Sequence, residues 1–420
     1  MRRSRRTKVA GGVGALVSAL CAISGCYGLA GRDAGIVGDG SDLPICAESG
    51  SRCVEVVGTP LSDDASAEYR VMSLFRGLDD RPRALVVEDR LDLNSSRLAV
   101  AQLDEGVGFE GALVDSVDGV ERISFASVVD EWVAWRVFLP GPGEGDTEVR
   151  VSRLERIGLE PPRSLLRSQL EGPRSAYAGP VLTKLGGRAA AVVASPEAVE
   201  MWWLDGGSVL LAPLSSPVVH TLQVETLHDS RLLATWHSRD DGGFDAVEGI
   251  VFNARGAEGD QLELMAEVVG ESDVLYHEDH LWVAGFRRRL DRFSDSGLYL
   301  RRLSGSDLAT AESEGWVSGW GGLRPLMTRL LVWQGQVTAV WLAEDSRLGP
   351  GVAVSVAQVP EESCRAVVGA GTILDDEPAL GGGDPGENWA DAMALSDELW
   401  LVSAGQSRHT LTTTPLDTCP

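Results

Sequence analysis

Lysine is almost missing from this chain: it occurs only at Lys8 and Lys184, and every other basic residue is arginine. That bias fits a GC-rich genome and carries no functional weight. Basic residues as a class are outnumbered, 37 against 62 acidic ones, for a formal charge of −25 over 420 residues. So acidic a surface repels phosphate backbones and anionic headgroups, which argues against nucleic acid as a partner. No apolar run reaches the ~20 residues that a transmembrane helix needs. The nearest, Val9 to Ser24, is shorter and is interrupted by Gly11, Gly12 and Gly14. A G-x-S-x-G elbow, a phosphate-cradling loop and a dinucleotide fingerprint are all absent. A Ser-His-Asp set assembled in space leaves no such trace, so no residue is nominated as catalytic. Helical periodicity is scarce too, with Ser164–Leu170 the one short candidate beyond the N-terminus.

What is present begins with an export signal. Arg2, Arg3, Arg5, Arg6 and Lys8 precede the mildly apolar run, giving a charged n-region and a short h-region. Ile23-Ser24-Gly25-Cys26 follows and resembles the lipobox of bacterial lipoproteins, in which the cysteine is lipidated and becomes the first mature residue. Cys21 does not fit, because Leu20 stands where a small residue is required. Ser4-Arg5-Arg6 resembles the start of a twin-arginine signal, but Lys8 occupies a position where that pattern has an aromatic. The resemblance ends by Tyr27. It implies removal of residues 1–25, membrane attachment through lipid on Cys26, and residence in the cell envelope. With Tyr27 rather than an aspartate next to the cysteine, it points to the outer membrane, facing the periplasm or the surface. Several acyl chains anchor a protein without any spanning segment. Residues 26–45 are Gly- and Asp-rich with few large side chains, and read as a flexible tether. The first 25 residues hold five basic groups and no acid, so the remainder carries close to −30.

Beyond Cys26, four cysteines remain: Cys46, Cys53, Cys364 and Cys419. An even number in an oxidising compartment suits two disulfides. Cys46–Cys53 as a local loop with Cys364–Cys419 as a C-terminal staple is the favoured pairing. A Cys53–Cys419 bridge joining the chain ends is its main competitor. No pair has zinc-site spacing.

One pattern recurs through residues 46–420. An acidic or Gly-containing turn leads into a short strand rich in Val, Leu and Trp, as in Asp130-Glu131 before Trp132-Val133-Ala134-Trp135. Further copies begin at Leu232, Leu281, Val337 and Leu399, with Val199 in the set and Arg83 a weaker member. Each is followed by a second strand, from Arg97–Leu103 in the first copy to Thr410–Leu416 in the last. Seven copies spaced by roughly 50 residues predict an all-β fold, a β-propeller of seven blades. Six or eight blades also fit, and a β-sandwich pair is the alternative architecture. Val199 and Leu232 are close together while Trp132 and Val199 are far apart, so one blade is expected to be incomplete. Val54-Glu55-Val56-Val57, after Cys53, is a strand able to complete the last blade and close the ring.

Few side-chain groups stand out against this framework. His277-Glu278-Asp279-His280 looks like a metal site but falls where other copies have a polar hairpin tip, so no metal is assigned. Ser238-Arg239-Asp240-Asp241-Gly242-Gly243-Phe244 resembles the Asp-box turn of sialidase-type propellers, with the aromatic one residue early and a single copy. Arg287-Arg288-Arg289 and Arg292 read as a solvated loop pairing with Asp291 and Asp295. Gly315 to Gly322 carries Trp316 and Trp320, and the acidic loop from Asp375 ends at Trp389. Aromatic rings among glycines can make a stacking platform for sugars or apolar groups, which makes these three tryptophans binding candidates. An edge strand is the plainer reading of the first two. The acidic loop lacks a regular calcium-binding ladder. The reading as a whole is a membrane-anchored envelope lipoprotein that displays a binding or scaffolding propeller to a protein or glycan partner, with no cofactor. A carbohydrate-active propeller is the alternative, and a quinoprotein-like redox enzyme a third class.

Overall fold

The computed structural model describes residues 54–418 apart from 57–58, 64–65, 91, 104–111, 119–121, 142–144, 158–159, 172–176, 207–209, 215–217, 229–230, 240–244, 290–291, 318–322, 346–351, 360–370, 374–389, 396–397 and 405–409. Two short strands come first, β1 (Val54–Val56) and β2 (Thr59–Asp63). Four-stranded antiparallel meanders follow. The first holds β3 (Ala67–Arg76), β4 (Pro82–Arg90), β5 (Ser95–Gln102) and β6 (Ala112–Asp118). The second holds β7 (Arg122–Val129), β8 (Trp132–Leu139), β9 (Asp146–Arg153) and β10 (Arg163–Gln169). The third holds β11 (Ala178–Leu185), β12 (Arg188–Ala194), β13 (Ala198–Trp203) and β14 (Leu210–Pro213).

A seven-stranded sheet comes next: β15 (Val218–Leu227), β16 (Arg231–Arg239), β17 (Asp245–Asn253), β18 (Gly256–His277), β19 (His280–Arg289), β20 (Arg292–Ser304) and β21 (Ala311–Trp316). At 22 residues, β18 pairs with β17 through its first half and with β19 through its second. The sheet is therefore two meanders sharing one strand. After it come β22 (Leu323–Trp333), β23 (Gln336–Asp345), β24 (Val352–Val359) and β25 (Gly371–Ile373). The final sheet contains β26 (Ala390–Leu395), β27 (Glu398–Ala404) and β28 (Thr410–Thr418), and it is completed by β1 and β2, both antiparallel to β28. The strand at Val54 thus closes the last sheet, so residues from the two ends of the chain share one ladder.

The sheets are arranged radially. Strands β3, β7, β11, β15, β18, β22 and β26 each touch the next, and β26 touches β3, completing a circle of inner strands. The architecture is an all-β propeller. A sandwich would have stacked two sheets face to face instead.

Period-two alternation explains why the second strand of a meander is apolar on both faces through much of its centre. Leu85 and Val87 of β4 pack with Ile123, Val133 and Trp135 of the second sheet. Ala84 and Val86 point the other way, toward Trp400 and Val402 of the last sheet. Likewise Leu399 and Leu401 face Met327 and Val340, on the opposite side of β27 from Trp400 and Val402. Both faces of such a strand are buried, so its centre is largely apolar, and the polar residues within it, such as Arg136, Thr235 and His237, are themselves buried. The core is consequently a set of wedges between adjacent sheets. The hairpin turns leading into these strands need left-handed backbone, as at Asp130 (φ 48°), Glu278 (φ 48°) and Asp279 (φ 65°). Aspartate and glycine suit that region.

Two expectations are corrected. Ser164–Leu170 is no helix: β10 covers Arg163–Gln169, and a short 3₁₀ turn at Leu154–Arg156 precedes it. The incomplete blade is also absent, because the third sheet has its four strands. Its apolar second strand is β12, Arg188-Ala-Ala-Ala-Val-Val-Ala194, which follows a Gly186-Gly187 turn and carries neither tryptophan nor acid. Val199 belongs to β13, the third strand, which accounts for the irregular spacing of the tryptophan-bearing copies.

Candidate functional site

Every inner strand contributes to one cavity on the axis, about 270 Å³ in volume. Met72 of β3, Phe125 of β7, Pro180 of β11, Glu225 of β15, Asp273 of β18, Arg329 of β22 and Asp391 of β26 all line it. Three carboxyl groups and one guanidinium therefore converge from strands far apart in sequence.

Each of these carboxyl groups is held by the neighbouring strand. Glu225 accepts a hydrogen bond from the Tyr276 backbone N–H of β18 at 3.2 Å. Asp273 accepts one from Leu330 N–H of β22 at 2.6 Å. Asp391 accepts from Leu74 N–H of β3 at 2.7 Å through one oxygen, and from Arg329 Nε at 2.6 Å through the other. The same device appears in uncharged form on β7, where Ser127 Oγ donates to Pro180 O at 3.0 Å and accepts from Leu182 N–H at 2.8 Å. Arginine serves two further junctions. Arg70 Nη2 donates to Ile123 O at 2.8 Å, and Arg136, fully buried, donates to both Gly179 O at 2.8 Å and Ala178 O at 3.1 Å. Burial pushes the Arg136 guanidinium down to about 10, still charged at neutral pH. Inner strands present their ends and faces to one another without a shared ladder, so side chains satisfy the exposed backbone groups.

Electrostatics set Glu225 and Asp273 apart. Burial, then the negative charge of Asp273, pushes Glu225 up to about 8. Burial pushes Asp273 up to about 7, with the nearby Arg329 charge opposing and Asp391 adding to the rise. Both side chains keep a face toward the cavity. A carboxyl that holds its proton near neutrality can donate one as well as accept it.

A second polar pair lies deeper. His237 Nε2 and Ser272 Oγ are 2.5 Å apart, and both residues are about 1% exposed. The contact joins β16 to β18 and has no open approach, so it is a bond within the core.

Among the sequence candidates, Cys26, Cys46, Cys53, Cys364, Cys419, Trp320 and Trp389 lie outside the described residues, as do Asp240 to Phe244 and the acidic loop from Asp375 to Trp389. Trp316 ends β21, the edge strand of the seven-stranded sheet, paired with Tyr299. His277 and His280 form the closing pair of the β18–β19 hairpin, with Glu278 and Asp279 at its tip. His280 meets Glu312 at 3.0 Å instead of joining His277. Among the described residues no group of three or more His, Cys, Asp or Glu could hold a metal ion. Arg287 belongs to strand β19, not to a loop, and it pairs with Glu267 at 3.2 Å while stacking over Tyr299. The axial carboxyl groups escaped notice in the sequence because Glu225, Asp273 and Asp391 share no local motif. The one available signal was an acid on the strand preceding three of the apolar repeats, at Glu225, Asp273 and Asp391.

No family model and no curated protein matches the chain. Solved structures similar to it include a prolyl endopeptidase (14% identity, 82% of this chain and 46% of that one, TM-score 0.46). Another is the sialidase of Trypanosoma rangeli in complex with the inhibitor DANA (11% identity, 88% and 58%, TM-score 0.44). A third is the β-propeller domain of the Trilobed protease from Pyrococcus furiosus (9% identity, 83% and 93%, TM-score 0.43). The chain spans about half the length of the endopeptidase. Likeness at this level assigns no chemistry, and the propeller architecture rests on the sheet order and the circle of inner strands.

Proposed function

We propose that this chain is a lipid-anchored protein of the cell envelope whose seven-bladed propeller is a binding and scaffolding module. The observation that carries this reading is the use made of the axial charges. Asp391, Asp273 and Glu225 each hold the backbone of the next inner strand, so the most chemically capable groups of the cavity maintain the ring. A stitched ring is a rigid platform, and loops on rigid platforms recognise partners with little ordering cost. The lipobox-like Ile23–Cys26 and the Gly/Asp-rich residues up to 45 support attachment through a tether, and no helix among the described residues is long and apolar enough to cross a membrane. The partner is an envelope protein or glycan.

Capture from crosslinked envelope extracts tests the proposal, with the detergent-solubilised full chain as bait and the heat-unfolded chain as control. A stoichiometric partner retained by the folded bait alone is the expected result. Equal retention by both baits would remove the scaffolding reading. Radiolabelled fatty acid should enter the wild-type chain and not Cys26→Ser; equal labelling would remove the anchor.

A second reading has one observation in its favour. Glu225 and Asp273 are coupled carboxyl groups in a single cavity, one of them protonated near neutrality, and glycoside cleavage uses such a pair. Turnover of a glycan panel that is abolished in both Glu225→Gln and Asp273→Asn would favour a carbohydrate-active propeller.

A further inference from the structure

Register shifts recur where inner strands pair with the second strands of their sheets. On β3 the shift lies between Val71 and Ser73, on β7 between Ser124 and Ala126, and on β11 between Ala178 and Val181. The residues that fall out of these ladders are Met72, Phe125 and the pair Gly179 and Pro180, and all of them line the axial cavity. A bulge re-aims a side chain that regular alternation would send elsewhere. Phe125 is held at φ 52°, a left-handed backbone that is an outlier for a bulky aromatic. Such strain persists where the surrounding structure fixes a side chain for a purpose. Three inner strands thus give the cavity an uncharged, mainly apolar wall, whereas Glu225, Asp273, Arg329 and Asp391 from the other four give it a charged one.

We propose that this cavity binds a small organic ammonium ion, its head between Glu225 and Asp273 and its apolar body against Met72, Phe125 and Pro180. The charged wall selects for a cation. Arg329 is committed to Asp391 and to Thr328 O, so its charge is already answered. Holding the ring occupies one oxygen of Glu225, through Tyr276 N–H, and the other accepts no hydrogen bond among the described residues. An ammonium head brings up to three N–H donors to such acceptors. Among the described residues the acids form no group able to hold a bare metal ion. At about 270 Å³ the cavity falls below the ~300–1,000 Å³ usual for drug-sized ligands, which limits the guest to a small molecule. None of this depends on the anchor or the partner proposed above.

Occupancy is coupled to protons. Burial and the Asp273 charge push Glu225 up to about 8, and burial pushes Asp273 up to about 7. An ammonium between them offsets both causes and favours the carboxylates, so a carboxyl that holds a proton gives it to solvent as the cation enters. The groups that set this balance are Asp273 of β18, facing Glu225, and Arg329 of β22 with Asp391 of β26, facing Asp273. The cavity-lining residues of β3, β7 and β11 carry no titratable group. Affinity should therefore fall as the pH drops from about 8 to about 5.5.

The test is calorimetric titration of the detergent-solubilised full chain with benzylammonium, at physiological salt so that the acidic surface is screened. One ion should bind per chain, at least ~10-fold more tightly than uncharged benzyl alcohol. At neutral pH the heat should change with the ionisation enthalpy of the buffer, because protons are released. Glu225→Gln keeps an acceptor for Tyr276 N–H without the charge and should weaken binding about tenfold. Phe125→Ala should weaken binding of both guests. The absence of saturable heat, equal affinity for the alcohol, or unchanged affinity in either variant overturns the site. If Glu225→Gln does not fold, the wild-type buffer comparison decides, and a heat independent of the buffer overturns the proposal.

Discussion

In the wedge between the first two sheets, Trp135 is fully buried among Leu85, Leu98, Ile123 and Val137, and its single polar atom donates to Asp115 Oδ2 at 2.8 Å. On the axis of the same ring, β7 and β3 instead present Ser127, Phe125 and Ser73 to a cavity shared with Glu225, Asp273, Arg329 and Asp391. Wedge and axis thus hold the sheets together by different means. A wedge removes apolar area from water and is tolerant of shape as long as it is filled. The axis has room left over, so the strands there are joined by individual hydrogen bonds, each with one donor and one acceptor. Loss of packing should therefore be costly but even-handed across pH, while loss of an axial bond should be smaller, directional and sensitive to protonation.

The largest effect is expected in a wedge. Trp135→Ala should destabilise the fold by about 3–5 kcal/mol in urea unfolding, from lost burial and the cavity left behind. Tryptophan position refines this. Trp236 and Trp282 are also buried, but neither indole N–H has a hydrogen-bond partner among the described residues. Trp135→Phe abandons the Asp115 contact and should cost about 1–2 kcal/mol more than Trp236→Phe. Equal losses would show that the wedge bond contributes nothing.

Next comes Asp391→Ala on the axis. It strips Arg329 Nε and Leu74 N–H of their acceptor at the junction of the last and first sheets, and should cost about 3 kcal/mol. Gly179→Ala should cost about 1–3 kcal/mol, because Gly179 has φ 76° and an added Cβ would lie 2.7 Å from Val192 O.

The smallest effect at neutral pH, and the most diagnostic, concerns Glu225. Its carboxyl binds a proton in the fold up to about pH 8, whereas the unfolded chain releases that proton near its ordinary value of 4.5. The native state therefore holds more protons across this interval. Its stability from this group is complete below pH 4.5 and is lost as pH rises through about 8. Asp273 adds a similar decline between its ordinary 3.8 and about 7. Glu225→Gln retains an acceptor for Tyr276 N–H without the charge, so its unfolding midpoint should fall less than wild type between pH 5 and pH 8.5, values chosen at roughly the two ends of the shift. Parallel pH profiles would refute the assignment of this slope to Glu225.

Much of the architecture was legible along the chain. Val133-Ala134-Trp135 and Leu399-Trp400-Leu401-Val402 are doubly buried stretches because they are apolar at every position, and Asp130 and Asp279 mark turns because left-handed backbone favours aspartate. The third sheet defeated the pattern. Its second strand uses alanine where β8, β16, β19, β23 and β27 use tryptophan, and the wedge there is filled by Leu182, Leu204 and Trp132 from neighbouring strands. Volume in a wedge is a joint property of two sheets, so one strand's sequence does not report it.

By itself, then, the sequence determined most of the repeated strands and the turns that lead into them, β10 and β12 excepted, because alternation and turn chemistry act between residues a few positions apart. Closure of the last sheet by the strand at Val54 was also readable, since only a strand outside the repeats remained to fill it. Tertiary structure alone decided which side chains face the axis. Glu225, Asp273, Arg329 and Asp391 meet because four inner strands point inward around a closed circle, and no spacing within any one strand encodes that meeting. Their protonation is set by the same convergence, through burial and mutual charge, which no residue possesses alone.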